Sequence, residues 1–105
     1  MSATQTDLVF SALADPNRRQ IVERLAGEGP ASATEMAAGL GISRQGAAKH
    51  LASLAEAGIV VASREGREVR YEIVDRGLDP GHAWLARVGD QWDRRLDRLR
   101  NQLNQ

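Results

Sequence analysis

The residues best suited to polar chemistry lie in the segment SRQGAAKH, residues 43–50. On a helical wheel at about 100° per residue, Gln45 and Lys49 lie on one face, and Leu51 and Leu54 lie on the other. The polar face is narrow and weakly cationic, as a helix must be to enter the major groove of DNA and contact base edges. A generic amphipathic helix pair gives the same pattern, so a purely structural role stays open as the alternative.

A second group of cations lies in a predicted β-hairpin. Residues 69–73 alternate between apolar and charged side chains, which is typical of a strand, and Ile59–Val61 supply a partner strand. Arg64 and Arg67 flank the glycine between the two strands, where they are placed to reach phosphate or a minor groove. Nearby glutamates partly neutralise this positive charge. The alternative to a DNA contact is therefore a solvated hairpin whose charges form salt bridges with each other.

The residues that could support catalysis or bind a metal are few. The chain contains no cysteine, and its two histidines, His50 and His82, lie in separate predicted elements without a nucleophile elbow, phosphate loop or paired-carboxylate motif. His82 has Asp79 and Asp90 nearby, but a tight Zn²⁺ site needs about four well-placed ligands. We therefore predict no enzymatic activity, no metal site and no cofactor.

Two short helices joined by a tight turn must position the segment 43–50. Ser32 followed by Glu35 is a capping box, which predicts the start of the first helix. Gly41 breaks that helix, Ser43 is placed to cap the second, and Gly58 is placed to end it. This arrangement of caps and glycines is typical of a helix-turn-helix motif.

Two further helices are predicted before this motif. Asp7–Leu13 forms a short helix that Asp7 caps, and Asp15-Pro16 opens a helix ending near residues 27–30. Arg18 and Arg19 lie close to the start of the second helix, where cations oppose the helix dipole. We expect an external anion or an acidic neighbour to bind them, with a solvated surface pair as the alternative.

The last helix is predicted to open at Asp79-Pro80, with Asp79 as its cap, and to run to about Leu103, some ~35 Å. Its apolar residues recur at alternating intervals of four and three residues and form a stripe along the helix. This stripe is longer than the rest of one small domain can cover, which predicts a dimer interface. The residues of this seam are Leu85, Gly89, Trp92, Leu96, Leu99 and Leu103.

Length and charge limit the possible architectures. The chain has 105 residues with 14 basic and 14 acidic side chains, so we expect one domain, residues 1–105, with no net charge. A nucleic-acid binder of zero net charge must collect its cations locally. No run approaches about 18 apolar residues, and the first residues lack a secretory signal. We expect a cytoplasmic protein that does not bind membranes.

The segments FSALADPNRRQIV, SRQGAAKHLASLAEAGIV and REGREVRYEI, in this order, resemble the ArsR-type winged-helix repressors. The resemblance covers the chain from about Leu8 to Leu103. It implies a mainly α fold with a small β-hairpin, namely a winged helix-turn-helix of five helices and a two-stranded wing. It also implies a homodimeric bacterial transcription factor whose first and last helices, about residues 7–13 and 80–103, form the dimer.

The resemblance assigns residues to each role. It implies that the residues in the major groove are Ser43, Arg44, Gln45, Lys49 and His50. It implies that Arg64, Arg67 and Arg70 form the contacts of the wing, and it adds Val9 of the first helix to the dimer interface. Metal-sensing members carry paired cysteines in the helix matching Thr34–Leu40, or carboxylates and histidines on the last helix. Here these places hold TEMAAGL and a single histidine, which favours a subgroup without the metal site.

The function predicted from these observations is sequence-specific binding of a double-stranded DNA operator by a homodimer, which represses transcription by occupying the operator without a metal. An effector ligand or protein is left open. The alternative is a winged-helix protein-interaction module, which the zero net charge and the acidic residues of the wing support.

Overall fold

Five helices and three short strands make up the fold of the described part of the chain. The structure is a computed structural model that describes residues 4–104. The helices are α1 (Gln5–Leu13), α2 (Pro16–Glu28), α3 (Ala33–Leu40), α4 (Arg44–Glu56) and α5 (Asp79–Leu103). The strands are β1 (Ala31–Ser32), β2 (Val60–Glu65) and β3 (Glu68–Ile73). The helix-turn-helix is α3 and α4, and the hairpin of β2 and β3 is the wing, so the predicted winged helix-turn-helix is confirmed.

Three predicted caps are confirmed. The Asp15 carboxylate accepts hydrogen bonds from the N–H groups of Asn17 and Arg18 at the start of α2. Ser32 opens α3 with a reciprocal capping box, and the Ser43 hydroxyl accepts a hydrogen bond from the next helix, α4, at 2.9 Å. These side chains satisfy N–H groups that have no partner inside the helix.

Two predicted caps are wrong. Thr4, not Asp7, caps α1, because Asp7 lies at the third helical position and completes a capping box with Thr4. Asp79 is the first residue of α5, and Leu78 occupies the capping position without a side-chain acceptor. The turn before α5 explains this second difference, because the Asp79 N–H donates to the carbonyl of Arg76 at 3.0 Å and the chain enters the helix without a polar cap.

The sheet is antiparallel with the order β1-β3-β2. In the hairpin, Glu65 pairs with Glu68, so Gly66 and Arg67 form a two-residue turn. Gly66 has a φ of +64°, which glycine adopts without steric cost. The sheet has three strands and not the predicted two, because Ala31 also pairs with Tyr71. A two-residue strand is too short to show a period-two pattern, so the sequence gives no signal for it.

The core lies between the first four helices and the start of the wing. Its largest fully buried side chains are Val9, Ile21, Leu51, Leu54 and Ile59. Val9 is 1% exposed, and a side chain on Gly81 of α5 would meet it, so α1 and α5 pack closely here. The prediction that Val9 lies in the dimer interface is therefore wrong, because this residue is enclosed within its own chain.

Helix α5 extends beyond the body of the protein. Its 25 residues measure about 37 Å at 1.5 Å per residue, and the whole chain measures 68 Å along its longest axis. Trp84 meets Phe10 of α1 edge-on, with ring centroids 5.5 Å apart. Residues 90–104 are all exposed. None of the helices within residues 4–104 combines the length and the apolar composition that a membrane-spanning helix requires.

Candidate nucleic-acid interface

Helix α4 is anchored by one face and exposes the other. Leu51 and Leu54 are completely buried, whereas Arg44, Gln45 and Lys49 are exposed. The turn before α4 fixes this orientation, because Gly41 adopts a left-handed conformation with a φ of 69° and its N–H donates to the carbonyl of Ala37 in the last turn of α3. The exposed face of α4 thus carries two cations and one amide side chain in its first two turns, with Ser43 exposed beside them.

Arg44 is partly oriented by the preceding helix. Its Nε donates to the hydroxyl of Thr34 at 3.1 Å, which links the starts of α3 and α4. A guanidinium has five N–H donors, so this single bond leaves the terminal nitrogens available for phosphate or a base edge. Arg44 therefore remains on the accessible surface of the helix-turn-helix.

His50 lies apart from the other groove residues. It is half-buried and close to Asp15, the cap of α2. Partial burial alone would raise the pKa of Asp15, but hydrogen bonds from the N–H groups of Arg18 and Asn17 and the nearby charge of His50 hold that pKa below its ordinary value. The structure thus places His50 at the junction with α2 and not fully on the exposed face of α4.

Arg64 and Arg67 are exposed on the wing. Paired residues of an antiparallel hairpin share a face, so Arg64 and its partner Val69 lie on the face opposite to Glu65 and Glu68. Within residues 4–104, neither arginine forms an ion pair. Both guanidinium groups are free to meet a phosphate.

Arg70 has a different environment from the other two wing arginines. Its Nη1 lies 3.0 Å from Oε1 of Glu35, and its Nη2 donates to the carbonyl of Pro30 at 2.9 Å. Carboxylates of Glu68 and Glu65 lie 3.6 and 3.8 Å away. The predicted contact of Arg70 with DNA is therefore replaced by internal contacts, because the strand alternation places it among the acidic residues of its own face.

Glu35 connects the wing to the helix-turn-helix. Hydrogen bonds with Ser32 in the capping box, together with the positive charge of Arg70, hold the pKa of Glu35 below its ordinary value. The same carboxylate thus caps α3 and binds β3. The sequence shows the capping box, but the pairing with Arg70 joins residues 35 positions apart and carries no local signal.

Arg18 and Arg19 bind the end of α1. Arg18 Nε donates to the Ala12 carbonyl, and Arg19 Nη1 donates to the Leu13 carbonyl, both at 2.6 Å. The last carbonyls of a helix lack internal partners and lie at the negative end of its dipole, so two cations stabilise them. Arg18 also has the predicted acidic neighbour, since its Nη1 lies 4.0 Å from Oδ2 of Asp15. The main partners of both arginines are nevertheless carbonyls of α1, which were not predicted from the sequence.

The apolar seam of α5 is exposed in the single chain. Trp92 is 66% exposed, and the other large side chains of the seam, Leu85, Leu96, Leu99 and Leu103, are also exposed. A side chain at Gly89 would meet nothing within 4 Å, so this part of α5 is open to close approach by another helix. In the described part of the chain, no group of three or more potential ligands could hold a metal ion.

Comparison with known proteins places these features among transcriptional regulators. Residues 13–61 match a family described as "Helix-turn-helix domain". The HTH-type transcriptional regulator CmtR of Mycobacterium tuberculosis is 43% identical over 77 residues, which are 73% of this chain and 64% of CmtR. The chain thus spans less than two thirds of the length of CmtR. The transcriptional repressor SdpR of Bacillus subtilis is 30% identical over 88 residues, which are 84% of this chain and 97% of SdpR.

Solved structures share the fold over nearly the whole chain. An ArsR-like transcriptional regulator from Rhodococcus sp. RHA1 has a TM-score of 0.77 and 38% identity, and the match covers 92% of this chain and 91% of that one. A homodimeric winged helix-turn-helix DNA-binding domain from Mycobacterium bovis, described as a possible ArsR-family regulator, has a TM-score of 0.67 and 28% identity, with 87% and 92% covered.

Proposed function

Because the chain belongs to the ArsR family of helix-turn-helix transcriptional regulators, we propose that it binds a DNA operator as a homodimer and represses transcription by occupying that operator. The family and the fold are those of DNA-binding regulators and not of enzymes. Occupying a site requires affinity and position only, so this function needs no catalytic group.

The main support for this proposal is that one face of α4 is exposed and polar. Gln45 and Lys49 are one helical turn apart on a helix whose opposite face is completely buried, so the helix can insert without uncovering the core. A glutamine amide can pair with the edge of adenine, and an arginine or lysine can pair with guanine. With Arg44 beside them, these residues form the set that we propose for base contacts.

The wing supplies the proposed contacts outside the groove. Arg64 and Arg67 are exposed and unpaired in the part of the chain that the structure describes, as phosphate contacts require. Their opposite face is held to α3 through Arg70 and Glu35. The wing is thereby positioned relative to the groove helix, and its two free cations can fix the register of the protein on the duplex.

The exposed stripe of α5 supports the homodimer. An exposed row of tryptophan and leucine side chains costs free energy in water, at roughly 25 cal/mol per Å² of apolar area. Two-fold pairing of identical stripes removes that cost from both copies at once. We propose that α5 forms the interface together with exposed residues of α1. The homodimeric state of the related domain from Mycobacterium bovis supports the same assembly here.

We further propose that operator binding takes place in the cytoplasm and does not depend on a transition metal. The chain has no cysteine, and α5 carries a single histidine, His82. One imidazole with scattered carboxylates provides too few ligands for a tetrahedral site within one chain. Control would then come from another ligand, a protein partner or the concentration of the regulator itself.

A protein-interaction module is the second candidate. The observation that favours it is the acidic face of the wing, where Glu65, Glu68 and Glu72 share one side of a chain with no net charge. The two functions can be distinguished by measuring the affinity for a random DNA duplex at increasing salt concentrations. A protein that neutralises phosphates loses affinity steeply as salt rises, whereas the interaction module would show weak affinity and no such slope.

A further inference from the structure

A small cavity lies where the wing meets the last helix. Its volume is about 210 Å³. Val22 of α2 and Ile59, just before β2, form part of its wall, and Ile73 at the end of β3 and Leu78 at the start of α5 form another part. The lining is mostly apolar, and none of these residues belongs to the proposed groove face, wing tip or α5 seam.

Two large apolar side chains remain uncovered at this cavity. Ile73 is 47% exposed and Leu78 is 43% exposed. The strand pattern predicts that Ile73 points towards a core, but the body of the protein covers only part of it. Exposed apolar surface next to a concave site gains free energy when a ligand covers it, so the cavity is suited to an apolar group.

Arg76 lies at the same cavity in a strained conformation. Its φ is +63°, and it is the only residue other than glycine with a positive φ in residues 4–104. The turn is fixed from both sides, since the Gly77 N–H donates to the Val74 carbonyl at 2.9 Å and a Cβ on Gly77 would lie 2.9 Å from the carbonyl of Gly58. Strained residues of this kind collect at ligand-binding sites.

The cavity also carries one charge of each sign. Arg76 and Asp79 both line it, and neither takes part in an ion pair within 4.0 Å among the described residues. A ligand with a carboxylate and an ammonium group beside an apolar body would complement both. The size agrees, because an apolar cavity of about 150 Å³ holds benzene and drug-sized ligands need about 300 Å³ or more.

We propose that this cavity binds an aliphatic α-amino acid of about the size of leucine. The carboxylate pairs with Arg76, the ammonium group pairs with Asp79, and the side chain covers Ile73 and Leu78. The cavity joins β3 of the wing to α5, so an occupied site would bias the angle between the wing and the proposed dimer helix. This regulatory consequence rests on the proposed operator binding, whereas the binding of the amino acid does not.

Calorimetric titration of the full chain with leucine tests the site without DNA. We expect saturable binding, with 4-methylpentanoate and 3-methylbutylamine, which lack the ammonium and the carboxylate group respectively, each at least about tenfold weaker, or about 1.4 kcal/mol. The absence of saturation up to about 10 mM leucine, which is about tenfold above the roughly 1 mM dissociation constant of a weak ligand, would overturn the site. If either analogue binds as tightly as leucine, the proposed pairing of the ligand with Arg76 and Asp79 is wrong.

Variants locate the binding. Arg76→Gln removes the charge and keeps a side chain at the strained position, and Ala26→Phe on the exposed part of α2 fills the cavity. Both should weaken leucine binding at least tenfold, while Arg94→Gln on the far part of α5 should leave it unchanged. Thermal unfolding checks that each variant is folded. Wild-type affinity in both folded cavity variants contradicts the site.

Operator affinity with and without saturating leucine then tests regulation. A change of at least about threefold that Ala26→Phe abolishes supports an effector role. If leucine binds in the calorimeter and operator affinity stays the same, the effector role is wrong while the site stands. If the protein binds no DNA under any condition, the proposed function is wrong, and calorimetry still decides the amino-acid site.

Discussion

Arg70 of β3 and Glu35 of α3 form an ion pair in which Nη1 lies 3.0 Å from Oε1. This pair joins the wing to the helix-turn-helix across 35 residues of sequence. Two elements that we propose to contact one duplex together are thereby fixed relative to each other. Arg70 is occupied by this structural contact, so the proposed phosphate contacts of the wing fall to Arg64 and Arg67.

The first prediction concerns the stability of this connection at acid pH. Because the pKa of Glu35 is lowered in the folded chain, the carboxylate stabilises the fold above its ordinary pKa near 4.5, and this contribution is lost as pH falls through the lower folded value. Glu35→Gln keeps a side chain that can complete a capping box but removes the charge. The variant should be less stable at pH 7 and should lose less stability between pH 5 and pH 3, measured by urea unfolding. Parallel pH curves for the two proteins would contradict this role.

The second prediction concerns Arg67 at the tip of the wing. If its guanidinium neutralises one phosphate, Arg67→Ala should reduce the slope of log affinity against log salt by about one unit. Arg94→Ala is the matched control, since Arg94 lies about 160° around α5 from Leu96, on the side opposite the proposed interface. Fluorescence anisotropy with a labelled duplex gives both slopes. An unchanged slope in Arg67→Ala would place the wing tip in solvent.

The third prediction concerns the seam of α5. Leu96→Asp would bury a carboxylate in an apolar contact, at a cost of several kcal/mol unless the group protonates or the interface opens. Sedimentation should show a monomer, and operator affinity should fall because two half-sites are no longer linked. Arg94→Asp introduces the same side chain on the opposite face and should stay dimeric. A Leu96→Asp variant that remains a dimer and still binds would refute the seam.

The fourth prediction concerns metal dependence. Operator affinity should be the same with a chelator and with micromolar Zn²⁺, Ni²⁺ or Co²⁺. His82 is the histidine of α5 and the residue on which a shared site in a dimer would have to depend. A tenfold change with metal that disappears in His82→Ala, a coupling of about 1.4 kcal/mol, would make the protein a metal sensor and contradict the prediction.

Local sequence signals predicted the elements that position the groove helix. Ser32, Asp15 and Ser43 act as caps within three residues of their own backbone partners, so their roles follow from short patterns. The cap of α1 lies at Thr4, three residues before the predicted Asp7, because both are good caps and only the geometry of the capping box separates them.

Contacts between distant residues were not predictable in this way. Arg70 was expected to contact DNA and instead binds Glu35. Arg18 was expected to meet an external anion or an acidic neighbour; it lies 4.0 Å from Asp15 but also binds carbonyls of α1, which no short pattern indicates. Val9 is apolar like the large residues of the seam but lies inside the core. In each case the residue type is compatible with both roles, and tertiary packing decides between them.

Recognition of an operator by α4 is tested most directly by the affinity of the wild-type chain and of Gln45→Ala for a site selected from random duplexes, compared with unselected random duplex. We expect wild type to prefer the selected site by about 10³-fold or more. We expect Gln45→Ala to lose about 1–3 kcal/mol on that site and little on random duplex, while Gln20→Ala on the exposed surface of α2 changes neither affinity. Equal wild-type affinity for selected and random DNA would contradict the claim that α4 recognises an operator.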